Sequence, residues 1–359
     1  MLLLVYCKLI GAVVMDKLQI NRDYDAFCGT GIAFEYAVKY ILEHKDKEQV
    51  KIAVISDREV SGYYYNRFNR QFLDLGIETI FVSVDSTDKD KNLLSVDRMI
   101  KHLNDFGLGT GDWFVALGGG GVIDVVSFAA AIINCNIKLM YVPTTLNAMG
   151  DAALSETGYL NSVGNKNQLS IKVKPDVLIV DPVFLDTVPK KIRSNGYASI
   201  IRIAVLYDYS LLIDLKKTNN LREFLDKCYN IRTKIEKINP LLLTMGNELA
   251  EAIESYFRFL NYTEGEILAL SILATVDKER REALKAYYKE IGLPVVLEGT
   301  DSKLILKLVR ERFDKLNCDY INVVDLEDGK WTVRRINRTE AVELFEKRIR
   351  NICAKEEKE

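Results

Sequence analysis

Histidine is nearly absent from this chain. Its 359 residues include two, His44 and His102, and none beyond position 102. Histidine most often ligates metals and shuttles protons near neutral pH. The C-terminal part must therefore do any such work with other groups. Six cysteines stand at 7, 28, 135, 228, 318 and 353, with no CxxC spacing. That spacing suggests neither a cysteine zinc site nor a disulfide framework, and it fits a reducing cytoplasm. There is no basic excess, since 49 Lys and Arg against 51 Asp and Glu leave a formal charge of −2. A general nucleic-acid binder would be basic, so no nucleic-acid partner is expected. The apolar segment Met1 to Val14 is broken by Lys8. It is shorter than the ~20 residues that span a bilayer. It also lacks the basic start and small-residue cleavage site of a signal peptide. It reads as a hydrophobic N-terminal strand or as a non-native extension ahead of Met15, and no membrane partner is expected. What is present is globular composition, 48% hydrophobic and 28% charged, with enough chain for two domains.

The first half alternates short apolar runs with helical periods. Lys51 to Ser56, Thr79 to Val84, Trp113 to Leu117, Lys138 to Val142 and Val177 to Val180 are β-rich runs. Leu94, Met99 and Leu103 mark the apolar face of a helix over Leu93 to Phe106. Buried strands alternating with helices predict a mainly parallel sheet covered on both faces. After about Asp186 the pattern turns helical, over Arg193 to Leu215, Asn220 to Ile238, Gly246 to Asn261, Glu264 to Ile291 and Ser302 to Lys315. Tyr320 to Val324 and Lys330 to Val333 read as a late hairpin. The expected fold is an α/β Rossmann-like N-terminal domain, residues 1–186, followed by a mostly α-helical domain, residues 187–359.

Four glycines, Gly118 to Gly121, follow the strand WFVAL and precede the helix VIDVVSFAAAII. Strand, glycine loop and helix together bring backbone N–H groups against a diphosphate at a helix N-terminus. Glycine removes the Cβ that would block the ligand and permits φ > 0. The spacing is not GxGxxG, so the usual Rossmann fingerprint is absent. Asp124 lies in the first turn of the helix. Thr144 and Thr145 close the strand KLMYV, where open α/β sheets bind ligands, and Asp151 follows.

This ordered set resembles the 3-dehydroquinate synthases and related sugar-phosphate cyclases. The blocks that carry the likeness are Gly118-Gly119-Gly120 with Asp124 and Phe128-Ala129-Ala130, Pro143-Thr144-Thr145-Leu146 with Asp151, Gly164-Asn165-Lys166-Asn167, and Val177 to Pro189. Asp88 and Lys91 are similar to the pair that holds the adenosine ribose there. Asp57 matches another cofactor contact. The resemblance implies NAD as cofactor, held by Asp57, Asp88, Lys91, Gly118, Gly119, Gly120, Asp124, Thr144, Thr145, Asp151, Lys166, Asn167 and Thr187. It also implies a cleft between two domains, a small-molecule substrate, a catalytic divalent metal and a homodimer.

The metal and substrate positions depart from that pattern. The family's helix glutamate reads Ser199, and its two ligand histidines read Asn247 and Glu251. A later His-Gly-Glu reads Glu264-Gly265-Glu266. No zinc site of the family type is expected. Asn247, Glu251 and Glu264 remain as oxygen donors for a harder ion, or as ordinary helix-face polar groups. The active-site lysine aligns with Glu156 and a phosphate-binding arginine with Cys135, while Arg202 stays basic and Arg232 or Lys234 could replace another cation. The candidate catalytic groups are Glu156, Arg202, Glu251 and Glu264. The expected activity is a cyclase or lyase reaction on a sugar-derived substrate with altered catalytic residues. A non-catalytic NAD-binding homologue and an NAD(P)-dependent polyol dehydrogenase are the open alternatives. Tyr63-Tyr64-Tyr65 is expected to cap a packed helix start, and Arg334, Arg335 and Arg338 to form a solvated face.

Overall fold

The computed structural model describes residues 15–20, 22–85, 90–162, 165–217, 220–257, 261–299, 302–316, 319–327 and 329–353. Met1 to Val14, Asp88 and Gly164 lie outside them. The chain divides into two compact units. One is Met1–Pro189 with Thr218–Tyr229, and the other is Lys190–Lys217 with Asn230–Glu359. The helix α8 (Leu221–Ile238) thus begins in the first unit and ends in the second.

The first unit is built on β1 (Asp16–Lys17), β2 (Asp25–Cys28), β3 (Lys51–Ser56), β4 (Glu78–Ser83), β5 (Trp113–Gly118), β6 (Lys138–Pro143) and β9 (Val177–Val180). They form one seven-stranded sheet in the order β1-β2-β9-β6-β5-β3-β4. Every neighbouring pair is parallel except β1 with β2. Residues 113–118 and 177–180 are buried throughout, as strands covered on both faces must be. The crossover helices are α1 (Ala33–Glu43), α2 (Arg58–Leu73), α3 (Leu93–Phe106) and α4 (Gly120–Ile132). The short helix α5 (Leu146–Gly150) follows β6.

Four strands of this unit have no counterpart in the periodicity: the short β1 and β2, and the antiparallel hairpin of β7 (Thr157–Ser162) with β8 (Asn165–Lys172), which packs on α4. A Cβ on Gly158 would sit 2.9 Å from the Ser127 Cβ, so glycine is what lets the hairpin approach that helix.

The second unit is helical, with one hairpin. Its helices are α6 (Lys190–Leu206), α7 (Ser210–Lys217), α9 (Asn247–Phe257), α10 (Glu264–Thr275), α11 (Lys278–Ile291), α12 (Ser302–Leu316) and α13 (Arg338–Arg350). Its strands β10 (Tyr320–Glu327) and β11 (Lys330–Asn337) pair antiparallel. The expected single helices over 193–215 and 264–291 are each two. The second breaks at Asp277, whose carboxylate accepts from the Arg280 N–H at 3.0 Å and restarts the chain as α11. Buried α10 forms the centre of this unit and packs on α6 and α9. A Cβ on Gly265 would fall 2.3 Å from Asn195 Cα and 2.4 Å from its carbonyl oxygen. Glycine is therefore obligatory where α6 and α10 cross. Among the described residues no helix is long and apolar enough to cross a membrane.

Candidate functional site

The glycine run sits where β5 ends and α4 begins. Gly118 is buried and is the last residue of β5; Gly119 is the N-cap of α4 and offers it no side-chain hydrogen bond. The helix opens with the Ile123 N–H donating to the Gly119 carbonyl at 3.1 Å. The N–H groups of Gly120, Gly121 and Val122 are therefore the donors that a helix start leaves without intrahelical acceptors. Gly119, Gly120 and Gly121 are half-buried. One expectation needs correcting. Gly118, Gly119 and Gly120 are not among the glycines with positive φ, so these glycines serve space and not backbone freedom. A Cβ at Gly118 would meet Val122 at 2.6 Å, and at Gly120 it would meet the Ala152 Cβ at 3.2 Å.

Two hydroxyls flank the loop. Ser56, at the end of β3, is opposite Leu117 of β5; Gly118 is opposite Pro143, and Thr144 follows directly. Both side chains are buried, and neither Ser56 Oγ nor Thr144 Oγ1 has a hydrogen-bond partner among the described residues. Buried hydroxyls normally find partners, so these two invite a missing one. Thr145 is committed elsewhere: its Oγ1 caps α5 by accepting from the Ala148 N–H at 3.2 Å. Asp151 follows at the end of that helix.

Next to the loop lies a buried polar network. Lys91 Nζ donates to Asp124 Oδ2 at 2.7 Å and to Asn167 Oδ1 at 3.0 Å. Asp124 Oδ1 accepts from the Tyr159 N–H at 3.1 Å. The Asn167 N–H donates to Asn161 Oδ1 at 2.8 Å. Asn167 adopts φ 52°, a left-handed conformation that asparagine tolerates better than most residues. Lys166 is buried beside it in sequence. Lys91, Asp124 and Asn167, far apart in the chain, thus meet and tie the β7–β8 hairpin to α4; because the helix starts at Gly120, Asp124 lies in its second turn and not in the first turn that the sequence suggested.

Asp57 caps α2, accepting from the Val60 N–H at 2.8 Å. Burial pushes its carboxyl above the ordinary value, outweighing the backbone donors that pull it down. The Thr187 and Tyr64 hydroxyls are 2.6 Å apart. Tyr64 packs on Phe34 and Phe184, while Tyr63 is exposed, so that tyrosine run does serve packing. Asp181 has a role the sequence did not suggest. Its carboxylate accepts from Gly31, Ile32 and Ala33 N–H groups at 2.9, 3.0 and 3.1 Å and so caps α1 from across the sheet.

The catalytic candidates divide between the units. In the first, Glu156 lies in the turn before β7 with φ 49°, and its carboxylate is 3.5 Å from Arg22 Nε. A left-handed glutamate costs on the order of 1–3 kcal/mol, which marks the turn as strained. In the second unit Arg202 is buried on α6, and its Nη1 donates to Asn247 Oδ1 at 2.8 Å. Ser199 is buried one turn earlier, and Glu251 is half-buried one turn after Asn247. Glu264 is exposed in the first turn of α10. Arg232 is engaged by Glu236 at 3.1 Å, with both side chains under a tenth exposed. Lys234 lies 5.6 Å from the Tyr207 ring. Arg334 pairs with Asp325 at 2.8 Å, and Arg335 covers Tyr320.

These second-unit residues do not suit a divalent ion. Asn247 Oδ1, one of the proposed donors, already faces a guanidinium. Two unit charges 4 Å apart repel by about 4 kcal/mol at an effective dielectric of 20, and a divalent ion doubles that to about 8. Among the described residues no group of three or more His, Cys, Asp or Glu could hold a metal.

Comparison with known proteins agrees with this architecture. The family model described as 3-dehydroquinate synthase N-terminal matches residues 81–195, from β4 through the glycine loop into α6. A 3-dehydroquinate synthase from Clostridium kluyveri is 26% identical over 301 residues, covering 77% of this chain and 83% of its own. The likeness is therefore to the 3-dehydroquinate synthases over the matched segment, and to this relative over most of the chain. Among solved structures, 2-epi-5-epi-valiolone synthase from Streptomyces hygroscopicus, with NAD+ and Zn2+ bound, superposes with TM-score 0.77 at 17% identity, covering 91% of this chain and 96% of that one. A 2-deoxy-scyllo-inosose synthase complexed with carbaglucose-6-phosphate, NAD+ and Co2+ gives TM-score 0.75 at 18% identity, covering 93% and 99%. The superfamily fold, a Rossmann-like unit followed by a helical one, is thus the fold of this chain.

Proposed function

We propose that the first unit binds NAD and that the chain is a cyclase- or lyase-type enzyme acting on a sugar-derived substrate with altered catalytic residues. The observation that carries this is the half-buried start of α4. It has no side-chain cap, it leaves three amide donors without intrahelical acceptors, and the Ser56 and Thr144 hydroxyls on either side of it have no partner among the described residues. Amides at a helix start favour a diphosphate by both hydrogen bonding and the helix dipole. Lys91, held by Asp124 and Asn167, keeps a fixed ammonium near the loop. Asp57, Asp88, Asp151, Lys166 and Thr187 complete the cofactor set that the resemblance suggests. NAD would supply the hydride acceptor for a substrate hydroxyl. The chain's own groups bind and orient it, and Glu156 is the first-unit candidate for moving a proton. Superfamily likeness also supports a homodimer, and the cysteine spacing a cytoplasmic setting.

A second reading has its own support. Ser199, Asn247 and Glu251 stand at the positions that the resemblance assigns to metal ligands, and Asn247 is already held by Arg202, which favours a homologue that binds NAD without turnover. Calorimetry with NAD on the full chain tests the shared premise: heat is expected, and Gly119→Val should abolish it while circular dichroism stays unchanged. No heat from the unaltered chain overturns both readings. Incubation with NAD and a phosphorylated keto-acid sugar then separates them. Phosphate release without net NADH supports the cyclase reading, and accumulating NADH supports a polyol dehydrogenase. NAD binding with neither product supports the non-catalytic one.

A further inference from the structure

We infer that Arg22 is a positioning residue for Glu156, and that this carboxylate faces an uncharged, hydroxyl-bearing part of the substrate. Three observations converge. The first is backbone strain. Among the described residues only Glu156 and Asn167 combine a side chain with a positive φ. Asparagine tolerates that conformation better than glutamate does, and a strained residue persists only where its surroundings over-determine it. The second is how the turn is tied down. Arg22 Nε and Nη2 donate to the Leu154 carbonyl at 3.2 and 2.6 Å, from 132 positions away. The Tyr24 hydroxyl donates to the Ala153 carbonyl at 3.3 Å, the Val173 N–H to the Glu156 carbonyl at 3.2 Å, and Lys172 Nζ to Thr157 Oγ1 at 2.9 Å. The same turn borders the glycine loop, since a Cβ on Gly120 would lie 3.2 Å from the Ala152 Cβ. The third is charge. Arg22 Nε lies 3.5 Å from the Glu156 carboxylate, and the two side chains are 13% and 35% exposed. The guanidinium is thus enclosed and neutralised within the turn, while the carboxylate stays within reach of a ligand. A carboxylate accepts from hydroxyl protons at two oxygens and repels phosphate. The inference rests on the reading of this unit as the cofactor half of an enzyme for sugar-derived substrates, and it names the part of such a substrate that meets the turn.

The test uses the full chain, with and without saturating NAD, and follows binding of myo-inositol, glycerol and inorganic phosphate by saturation-transfer NMR titration. At least one polyol should bind, and phosphate should bind about tenfold more weakly or not at all. Glu156→Gly removes the carboxylate and suits a φ of 49°. It should melt no earlier than the parent, yet bind the polyol about tenfold more weakly. A glutamate kept for the turn alone would give the opposite pair, an earlier melt with unchanged binding. Arg22→Met should weaken polyol binding by more than it weakens NAD binding, and Arg22→Lys should recover part of the loss. The inference is overturned if neither polyol binds, if phosphate binds more tightly than both, if Glu156→Gly melts earlier or binds like the parent, or if Arg22→Met binds the polyol like the parent. Should Arg22→Met fail to fold, the parent's choice among the probes and the behaviour of Glu156→Gly still decide the matter. NAD heat without polyol binding refutes this inference alone. Absence of NAD heat refutes the cofactor reading, and the titrations without NAD then stand by themselves.

Discussion

The Lys91–Asp124 pair offers the sharpest test of how the glycine loop is held. Its atoms are 2.7 Å apart, and the side chains are 7% and 14% exposed. Removing one partner of a buried pair typically costs about 3–5 kcal/mol, because the other charge stays buried without compensation. Asp124→Asn keeps the shape and can still accept from Tyr159, but it leaves the ammonium without a counter-charge. Lys91→Met removes the cation from the buried carboxylate, to which the Tyr159 N–H still donates. Each should lower stability by about that amount. The double variant buries no charge at the pair, so it should lose less than the sum, with a coupling of roughly 2–3 kcal/mol. Because the chain has two units, a global unfolding curve is not a single transition. The two tryptophans resolve this: Trp113 lies in β5 and Trp331 in β11. In a Trp331→Phe background, urea titration followed by fluorescence reports the first unit. Strictly additive losses, with coupling below about 0.5 kcal/mol, would show that the two groups do not depend on each other and would refute the lock.

Three further outcomes follow from single contacts. Burial holds Asp57 above the usual 3.8, so from that pH upward the folded chain keeps a proton that the unfolded chain has lost, and stability falls as pH rises through the window. Asp57→Asn caps equally well, so it should flatten that slope and leave neutral-pH stability equal or higher; a loss of about 1 kcal/mol or more at neutral pH contradicts this. Gly265→Ala should destabilise the helical unit by about 1–3 kcal/mol or more, since its Cβ meets backbone at 2.3 Å, whereas Gly150→Ala, with open space, should be near neutral in the same thermal melt. Asp181→Ala should cost about 2 kcal/mol or more, because three N–H groups of the α1 start lose their acceptor together, and faster amide exchange at residues 31–33 and at Val183 is its signature.

How much of this was legible depends on which force shapes each element. Strands β3, β5, β6 and β9 read clearly because a strand buried on both faces is a nearly unbroken apolar run. The β7–β8 hairpin did not. Its sequence, TGYLNS and NKNQLSIK, is polar, and it is fixed by packing on α4 and by the Lys91 network. The α10–α11 break was missed because ILALSILATV is apolar all round and shows no helical face to lose; Asp277 ahead of Lys278-Glu279-Arg280 was the available signal. Asp181 was hidden for another reason. It caps a helix start that lies 148 to 150 positions away in the chain, and no local pattern encodes that. Asp124 was marked by its place after the glycine run, whereas Lys91 and Asn167 came from family likeness alone, since spacing cannot bring three distant residues together.

The two units also differ in what each kind of site demands. A diphosphate cradle of backbone amides depends on where β5 ends and on the absence of Cβ atoms at Gly118 to Gly120, so it survives wide change elsewhere. A site of converging side chains has no such protection, since one substitution changes its charge. Four buried charges have a partner in their own unit: Lys91 with Asp124 in the first, and Arg202 with Asn247, Arg232 with Glu236 and Arg348 with Asp325 in the second. A unit that satisfies its own charges can change its chemistry without unsettling its neighbour. Arg202→Met should therefore lower the melting temperature of the helical unit and leave the heat of NAD binding as it was. A matching fall in NAD affinity would mean that the cradle depends on the helical unit after all, and that the separation argued from these contacts is wrong.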